Sequence, residues 1–100
     1  MGRLSRLSPL SDDEITNRLR QLSGWQLADR TIRKQFTFAA FSDGIRFVDR
    51  VAQLADAADH HPDIDIRYTR VTISLWTHSA GGITEKDFNL AAQIERLSPA

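Results

Sequence analysis

The chain has 100 residues, with 13 Lys or Arg against 13 Asp or Glu and no cysteine. That length makes one domain with a modest core. The charge balance leaves no basic excess for gripping nucleic acid by counterion release, and the missing thiols exclude disulfides, thiolate metal sites and a cysteine nucleophile. No apolar run approaches the roughly 20 residues of a membrane span. Residues 1–9 carry Arg3 and Arg6 without an apolar stretch behind them. They read as a loose terminal segment, not a signal peptide, and a cytoplasmic location is the expectation.

The first helix is predicted from its start signal. Ser11 can cap, Glu14 three positions on completes a capping box, and Leu10 with Ile15 form a hydrophobic staple. Ile15, Leu19 and Leu22 fall on one stripe, and Ser23-Gly24 is the predicted stop. Trp25-Gln26-Leu27 reads as a short strand. After a turn at Asp29-Arg30, Ile32, Phe36 and Phe38 alternate with Arg33, Gln35 and Thr37, which predicts a hairpin; Lys34 breaks the alternation. Ser42 is the predicted cap of a second helix running to about Ala58. Its stripe of Phe47, Val48, Val51, Leu54, Ala55 and Ala58 is wide. Ordinary core is the simpler explanation, contact with a partner subunit the sharper one.

Pro62 stops helical structure and pushes His61 toward extended geometry. Ile64, Ile66 and Tyr68 then alternate, as do Val71, Ile73 and Leu75 after Thr69-Arg70, giving a second hairpin with both apolar sets on one face. Thr72, Ser74, Trp76 and His78 share the opposite face, which puts His78 beside an aromatic ring. Gly81-Gly82 is a turn. Thr84 caps the third helix with Asp87 at its third position, and Ile83 faces Phe88. Phe88, Ala91, Ile94 and Leu97 point inward, and Ser98-Pro99 ends the helix. The order αββαββα predicts an α+β two-layer sandwich, a four-stranded antiparallel sheet with all three helices on one face.

All three histidines lie in one region: His60 and His61 in Asp59-His60-His61-Pro62, and His78 after Thr77. The helix–strand–turn–strand order can fold the pair back against His78. Imidazole is the side chain that titrates nearest neutrality, so the group points to proton transfer or metal binding. Metal fits less well, because neighbours in an extended backbone point apart and no HExxH spacing exists. Ser74, Thr77 and Ser79 lack a GxSxG elbow, and Gly81-Gly82 is too little for a phosphate loop. General acid–base work fits best. Removing water across a C–O and N–H pair needs an acid on the leaving hydroxyl and a base on the nitrogen. Asp87 can orient one imidazole by accepting its N–H, or act only as a helix-cap partner. Asp56 and Asp59 sit a turn apart near the histidines. Trp25 and Trp76 read as packing residues, with Trp76 able to border a flat ligand.

Asp59-His60-His61-Pro62, Tyr68, Val71, Thr77-His78, Gly82, Thr84, Asp87 and Ala91 together resemble the pterin-4a-carbinolamine dehydratase (4a-hydroxytetrahydrobiopterin dehydratase) family. A more diffuse likeness runs from the first helix through Gly24-Trp25 and Lys34, Phe36 and Phe38 to Ile94. The resemblance implies dehydration of 4a-hydroxytetrahydropterin to quinonoid dihydropterin, the step that regenerates the pterin after aromatic amino-acid hydroxylation. It implies His60 and His78 as the acid–base pair with Asp87 in support, and His61, Trp25 and Asp59 as substrate-binding. It implies no metal and no cofactor, the pterin being the substrate. The implied assembly is a homodimer or homotetramer joined through sheet edges, with no direct nucleic-acid or membrane partner. The family often has Glu where this chain has Asp56, so the shorter side chain need not reach the same partner. Some animal members are coactivators of a homeodomain transcription factor and some divergent relatives assist enzyme assembly. A non-catalytic binding module of the same fold is therefore the alternative.

Overall fold

The computed structural model describes residues 8–97. Ser11 caps helix α1 (Asp12–Leu19) in a complete capping box. The Glu14 N–H donates to Ser11 Oγ at 3.2 Å, and the Ser11 N–H donates to Glu14 Oε1 at 2.8 Å. The helix ends sooner than the apolar spacing predicts. Gln21, Leu22 and Trp25 each donate to the carbonyl three residues back, which tightens the chain out of the α form. Leu22 still packs on the core, from a turn.

Strands β1 (Gln26–Ala28) and β2 (Thr31–Thr37) pair antiparallel with Ala28 opposite Thr31. Asp29 and Arg30 form the two-residue turn at φ of 50° and 68°, the left-handed pair that suits the twist of a tight hairpin. Lys34 breaks the alternation because it faces the helices, where its Nζ lies 2.6 Å from Glu95 Oε2.

Helix α2 (Phe41–Ala58) has Ala40 at its cap position with no side-chain cap bond. The prediction of Ser42 as cap is therefore corrected: the chain turns helical two residues earlier, and Ser42 lies exposed in the first turn. Gly44 is buried, and a Cβ there would sit 3.3 Å from Val71 Cγ2 and 3.4 Å from Phe38 Cδ1, so α2 rides close on the sheet. At the far end Asp59 takes the left-handed conformation (φ 50°, ψ 43°), and the His60 N–H reaches back to Ala55 O at 3.1 Å. This left-handed cap fixes the direction in which His60 leaves the helix.

Strands β3 (Asp63–Arg67) and β4 (Arg70–Leu75) pair with Arg67 opposite Arg70. The turn is Tyr68-Thr69, not Thr69-Arg70. Tyr68, at φ 53° and 77% exposed, leaves the inward set where the alternation placed it. Ile64 faces Ile73 and Ile66 faces Val71 as expected.

The sheet runs β1-β2-β4-β3, antiparallel throughout. Register sets Ile32 opposite Leu75 and Phe36 opposite Val71 on one face, with Arg33 opposite Ser74 and Gln35 opposite Thr72 on the other. Only the first face carries a core. Ile15 of α1, Phe47, Val51 and Ala55 of α2, and Phe88, Leu90, Ala91 and Ile94 of α3 (Glu85–Leu97) pack there against Ile32, Val71, Ile73 and Leu75. All three helices therefore cover one face and leave the other polar, the α+β sandwich predicted. Phe47 anchors the layers, its ring centroid 4.7 Å from Phe36 and 5.2 Å from Phe38. Each such fully buried side chain contributes about 1.5–3 kcal/mol.

The Leu10 N–H donates to Ile83 O at 2.8 Å. Pro9 lies against Gly82, where an added Cβ would come within 3.1 Å of it. The end of the segment predicted to be loose is thus packed; residues 1–7 of that prediction, and the predicted stop at Ser98-Pro99, lie outside the described residues. No described helix is long and apolar enough to cross a membrane.

Candidate active site

The site is built on the start of α3. Asp87 is the third residue of that helix and is fully buried. Its Oδ2 accepts the Thr84 N–H at 2.9 Å, and Thr84 Oγ1 accepts the Lys86 N–H at 3.2 Å, so the helix start is capped by the two side chains in concert. The same carboxylate does two further things. Oδ2 accepts the Thr77 hydroxyl at 2.8 Å, and Oδ1 lies 2.6 Å from His60 Nε2. The cap-partner and imidazole-orienting readings of Asp87 thus coexist in one side chain. His60 comes from the end of α2 and is 10% exposed at its side chain.

Thr77 is held from β4's side. It bridges Gly82 through the Thr77 N–H to Gly82 O (3.0 Å) and the Gly82 N–H to Thr77 O (3.3 Å). This pinches off a small loop containing a 3-10 turn, His78–Ala80, closed by Gly81 at φ 75°. His78 opens that turn, exposed, with its ring centroid 4.0 Å from that of Trp76. The expected strand-end histidine beside an aromatic ring is present, although the strand stops at Leu75 and His78 stands on the turn beyond it.

His61 points elsewhere. Its Nε2 is 3.0 Å from Asp56 Oδ1, and the imidazole is 59% exposed. Asp59 is exposed and serves the chain through its left-handed backbone. Trp25 is not at this site. Its indole is 4% exposed, packs edge-on against Phe36 and donates Nε1–H to Glu95 Oε2 at 2.8 Å. Glu95 is eight residues beyond Asp87, about 12 Å along the helix. The substrate-binding assignment of Trp25 is corrected accordingly: a buried indole with its one donor committed faces no ligand, and packing is its role. Thr77 is the residue that sequence reasoning missed, having been weighed only as a nucleophile. The available signal was its place directly before His78, at a spacing that lets a strand end meet a helix cap.

The start of α3 is also tied to α1. Arg18 and Glu85 form a two-pronged pair, with Arg18 Nη1 2.9 Å from Glu85 Oε1 and Nη2 on Oε2. The guanidinium's hydrogen bonds hold the Glu85 carboxyl below its ordinary range, and the carboxylate raises Arg18 in return. A cavity of about 630 Å³ lies away from the histidines, between β2, α2 and the end of α3, with Phe36, Phe38, Phe47, Arg46 and Arg50 in its wall. It contains none of the clustered residues. Size alone does not mark a reactive centre, and the histidine–carboxylate cluster is the candidate that its chemistry singles out. Among the described residues no group of three or more His, Cys, Asp or Glu is arranged to hold a metal ion.

On this α+β scaffold a buried carboxylate orients one imidazole, and a second imidazole stands against an indole on the turn that follows Thr77. The sequence profile of the pterin 4 alpha carbinolamine dehydratase family matches residues 8–97, and the chain belongs to that family. A protein of Roseiflexus sp. (strain RS-1), provisionally named a pterin-4-alpha-carbinolamine dehydratase, is 56% identical over 88 residues, covering 88% of this chain and 95% of the relative. One of the same provisional name from Mycobacterium sp. (strain KMS) is 50% identical over 91 residues, 91% of this chain and 97% of its own. Among solved structures, a transcriptional coactivator/pterin dehydratase from Brucella melitensis superposes with a TM-score of 0.87 at 35% identity, covering 91% of this chain and 99% of that one. A pterin dehydratase-like protein described as a RuBisCO assembly factor in the alpha-carboxysome gives 0.62 at 26% identity, over 76% and 88%.

Proposed function

We propose that this chain dehydrates a 4a-hydroxytetrahydropterin to quinonoid dihydropterin and water by histidine acid–base catalysis. The observation that carries the reading is the 2.6 Å contact of His60 Nε2 with a fully buried Asp87. A carboxylate placed behind an imidazole fixes its orientation and stabilises its protonated form. One of His60 and His78 protonates the departing hydroxyl, which leaves with its bonding pair as water. The other removes the proton from the neighbouring nitrogen, whose electron pair closes the C=N bond. Trp76, half-buried against His78, offers a flat face beside a pterin ring. His61, exposed and held to Asp56, and the exposed Asp59 are the substrate-binding residues of this reading. No metal or cofactor is needed, because the bond broken is already polarised by two proton transfers.

The reading places the protein in the cytoplasm, in pterin recycling after aromatic amino-acid hydroxylation. It also makes the protein a homo-oligomer, since β1 and β3 are open sheet edges whose unpaired groups favour pairing with another copy. The test is steady-state dehydration of synthetic 4a-carbinolamine near neutral pH, corrected for the spontaneous reaction. No acceleration by the wild-type chain would overturn the proposal in favour of a binding or assembly module.

A further inference from the structure

Counting donors and acceptors around Asp87 fixes every proton in the cluster. An ionised carboxylate only accepts, and a threonine hydroxyl has one proton to give. Thr77 Oγ1, 2.8 Å from Asp87 Oδ2, must therefore give its proton to the carboxylate. Thr77 Oγ1 also lies 2.8 Å from Thr84 Oγ1. With its own proton committed, Thr77 can only accept there, so Thr84 is the donor. Thr84 Oγ1 in turn accepts the Lys86 N–H. The result is a one-way chain: Lys86 N–H to Thr84, Thr84 to Thr77, Thr77 to Asp87 Oδ2. The Thr84 N–H occupies Oδ2 as well. Oδ2 is thus saturated, and the remaining oxygen, Oδ1, faces His60 Nε2 as an acceptor.

Nε2 of His60 therefore carries a hydrogen in every protonation state. In the neutral ring the lone pair then resides on Nδ1. That nitrogen has no hydrogen-bond partner among the described residues. It is not among the buried side-chain atoms left without a partner, of which Arg33 Nε is the one among the described residues, and the His60 side chain keeps 10% exposure.

We infer that Thr77 is a positioning residue: with the Thr84 N–H it holds the Asp87 carboxylate in the orientation that sets Oδ1 on His60 Nε2, and that orientation makes Nδ1 the working nitrogen of His60. This rests on the dehydratase reading for its kinetic consequence but not for the proton's location. Thr77→Val keeps the side chain's shape and removes the donor. Oδ2 then keeps only the Thr84 N–H and the Thr84 hydroxyl loses its acceptor, so the carboxylate can turn about its remaining bond, draw Oδ1 off Nε2 and leave His60 without the acceptor that selects its tautomer.

The experiment combines kinetics with nitrogen-15 NMR of the imidazoles, taken above their titration range. In the wild-type protein His60 should be found protonated on Nε2. In Thr77→Val both tautomers should be populated, and kcat should fall about 10- to 100-fold, short of the roughly 10²–10⁴-fold contributed by a general acid or base. KM should stay within about twofold, because ground-state contacts are untouched. Thr77→Ser, which restores the hydroxyl, should restore both. Wild-type His60 protonated on Nδ1 would overturn the inference without any variant, so a failure of Thr77→Val to fold leaves it decidable. A folded Thr77→Val with wild-type tautomer and kcat would overturn it equally. Absence of dehydration by the wild type would strike the functional proposal and leave the tautomer result standing.

Discussion

Replacing Asp87 separates what the carboxylate does for the fold from what it does for the histidine. In Asp87→Asn the amide oxygen can take the place of Oδ2 and keep the Thr84 N–H and Thr77 hydroxyl as donors. The amide nitrogen then faces His60 Nε2 as a donor. The imidazole must answer with a lone pair on Nε2 and move its hydrogen to Nδ1. Three hydrogen bonds to a charged group, worth about 1.5–3 kcal/mol each, become neutral ones worth about 0.5–1.5. The loss of about 3 kcal/mol is offset by no longer burying a charge, a cost of several kcal/mol in itself. Stability should therefore change little, while kcat falls roughly 10²–10⁴-fold because the open nitrogen has the wrong proton content; a wrong-tautomer imidazole costs about 10⁴-fold in the serine-protease triad. Asp87→Ala behaves differently. It strands the Thr84 N–H, the Thr77 hydroxyl and His60, at about 1–3 kcal/mol for each buried unsatisfied group, a large share of the stability of a domain this size. Thermal melts and steady-state dehydration on both variants check this. Asp87→Asn retaining more than about a third of wild-type kcat, against the roughly 10²-fold minimum loss expected of an acid–base group, would refute the orienting role.

His60→Ala and His78→Ala should each lower kcat by about 10²–10⁴-fold while circular dichroism stays native, and the double variant should fall well short of the product. His61→Ala should chiefly raise KM, read in the same assay. Glu85 is held low by Arg18 in the folded chain, so its contribution to stability is present above the ordinary glutamate value of about 4.3 and is lost as pH falls through the lower folded value. The pair is half-exposed, which keeps the effect below about 1 kcal/mol. Glu85→Gln should flatten the acid limb of Tm against pH, and an unchanged limb would remove the pair from the account. Sedimentation at micromolar concentration should find dimers or larger; monomer alone would contradict self-association.

Much of this could be read in advance because local rules and the global fold agree. Ser11 with Glu14, and Thr84 with Asp87, are start signals whose hydrogen bonds form within four residues, so no tertiary knowledge is needed. The paired alternation of Ile64 and Ile66 with Val71 and Ile73 fixes register for the same reason. What was illegible depends on residues far apart in sequence. Lys34 spoils a pattern of period two because Glu95, 61 positions on, accepts its ammonium. Tyr68 continues the apolar alternation yet falls in a turn, since register between β3 and β4 is set by pairs further from the loop. Ser42 is a good cap residue two places too late, and the helix begins at Phe41 without a side-chain cap, with Gly44 close on Val71 of the sheet. At the site, His60 with Asp87 follows from topology. The Thr77–Thr84 link does not, because it needs the bridge to Gly82 that closes the intervening loop.

The two tryptophans sit in different optical environments. Trp25 is sealed in the core beside Phe36 and tied to Glu95 at the far end of α3, whereas Trp76 lies tilted against His78 at the candidate site. Their emission is thereby divided by geometry. A Trp76→Phe chain would fluoresce only from Trp25 and follow loss of the core, blind to ligand. A Trp25→Phe chain, at some loss of stability, would fluoresce only from an indole in contact with the imidazole. Its intensity would change as a flat ring slides in or as His78 gains a proton. The molecule thus carries two built-in dyes, one for folding and one for occupancy, and no label has to be attached to watch either event in real time.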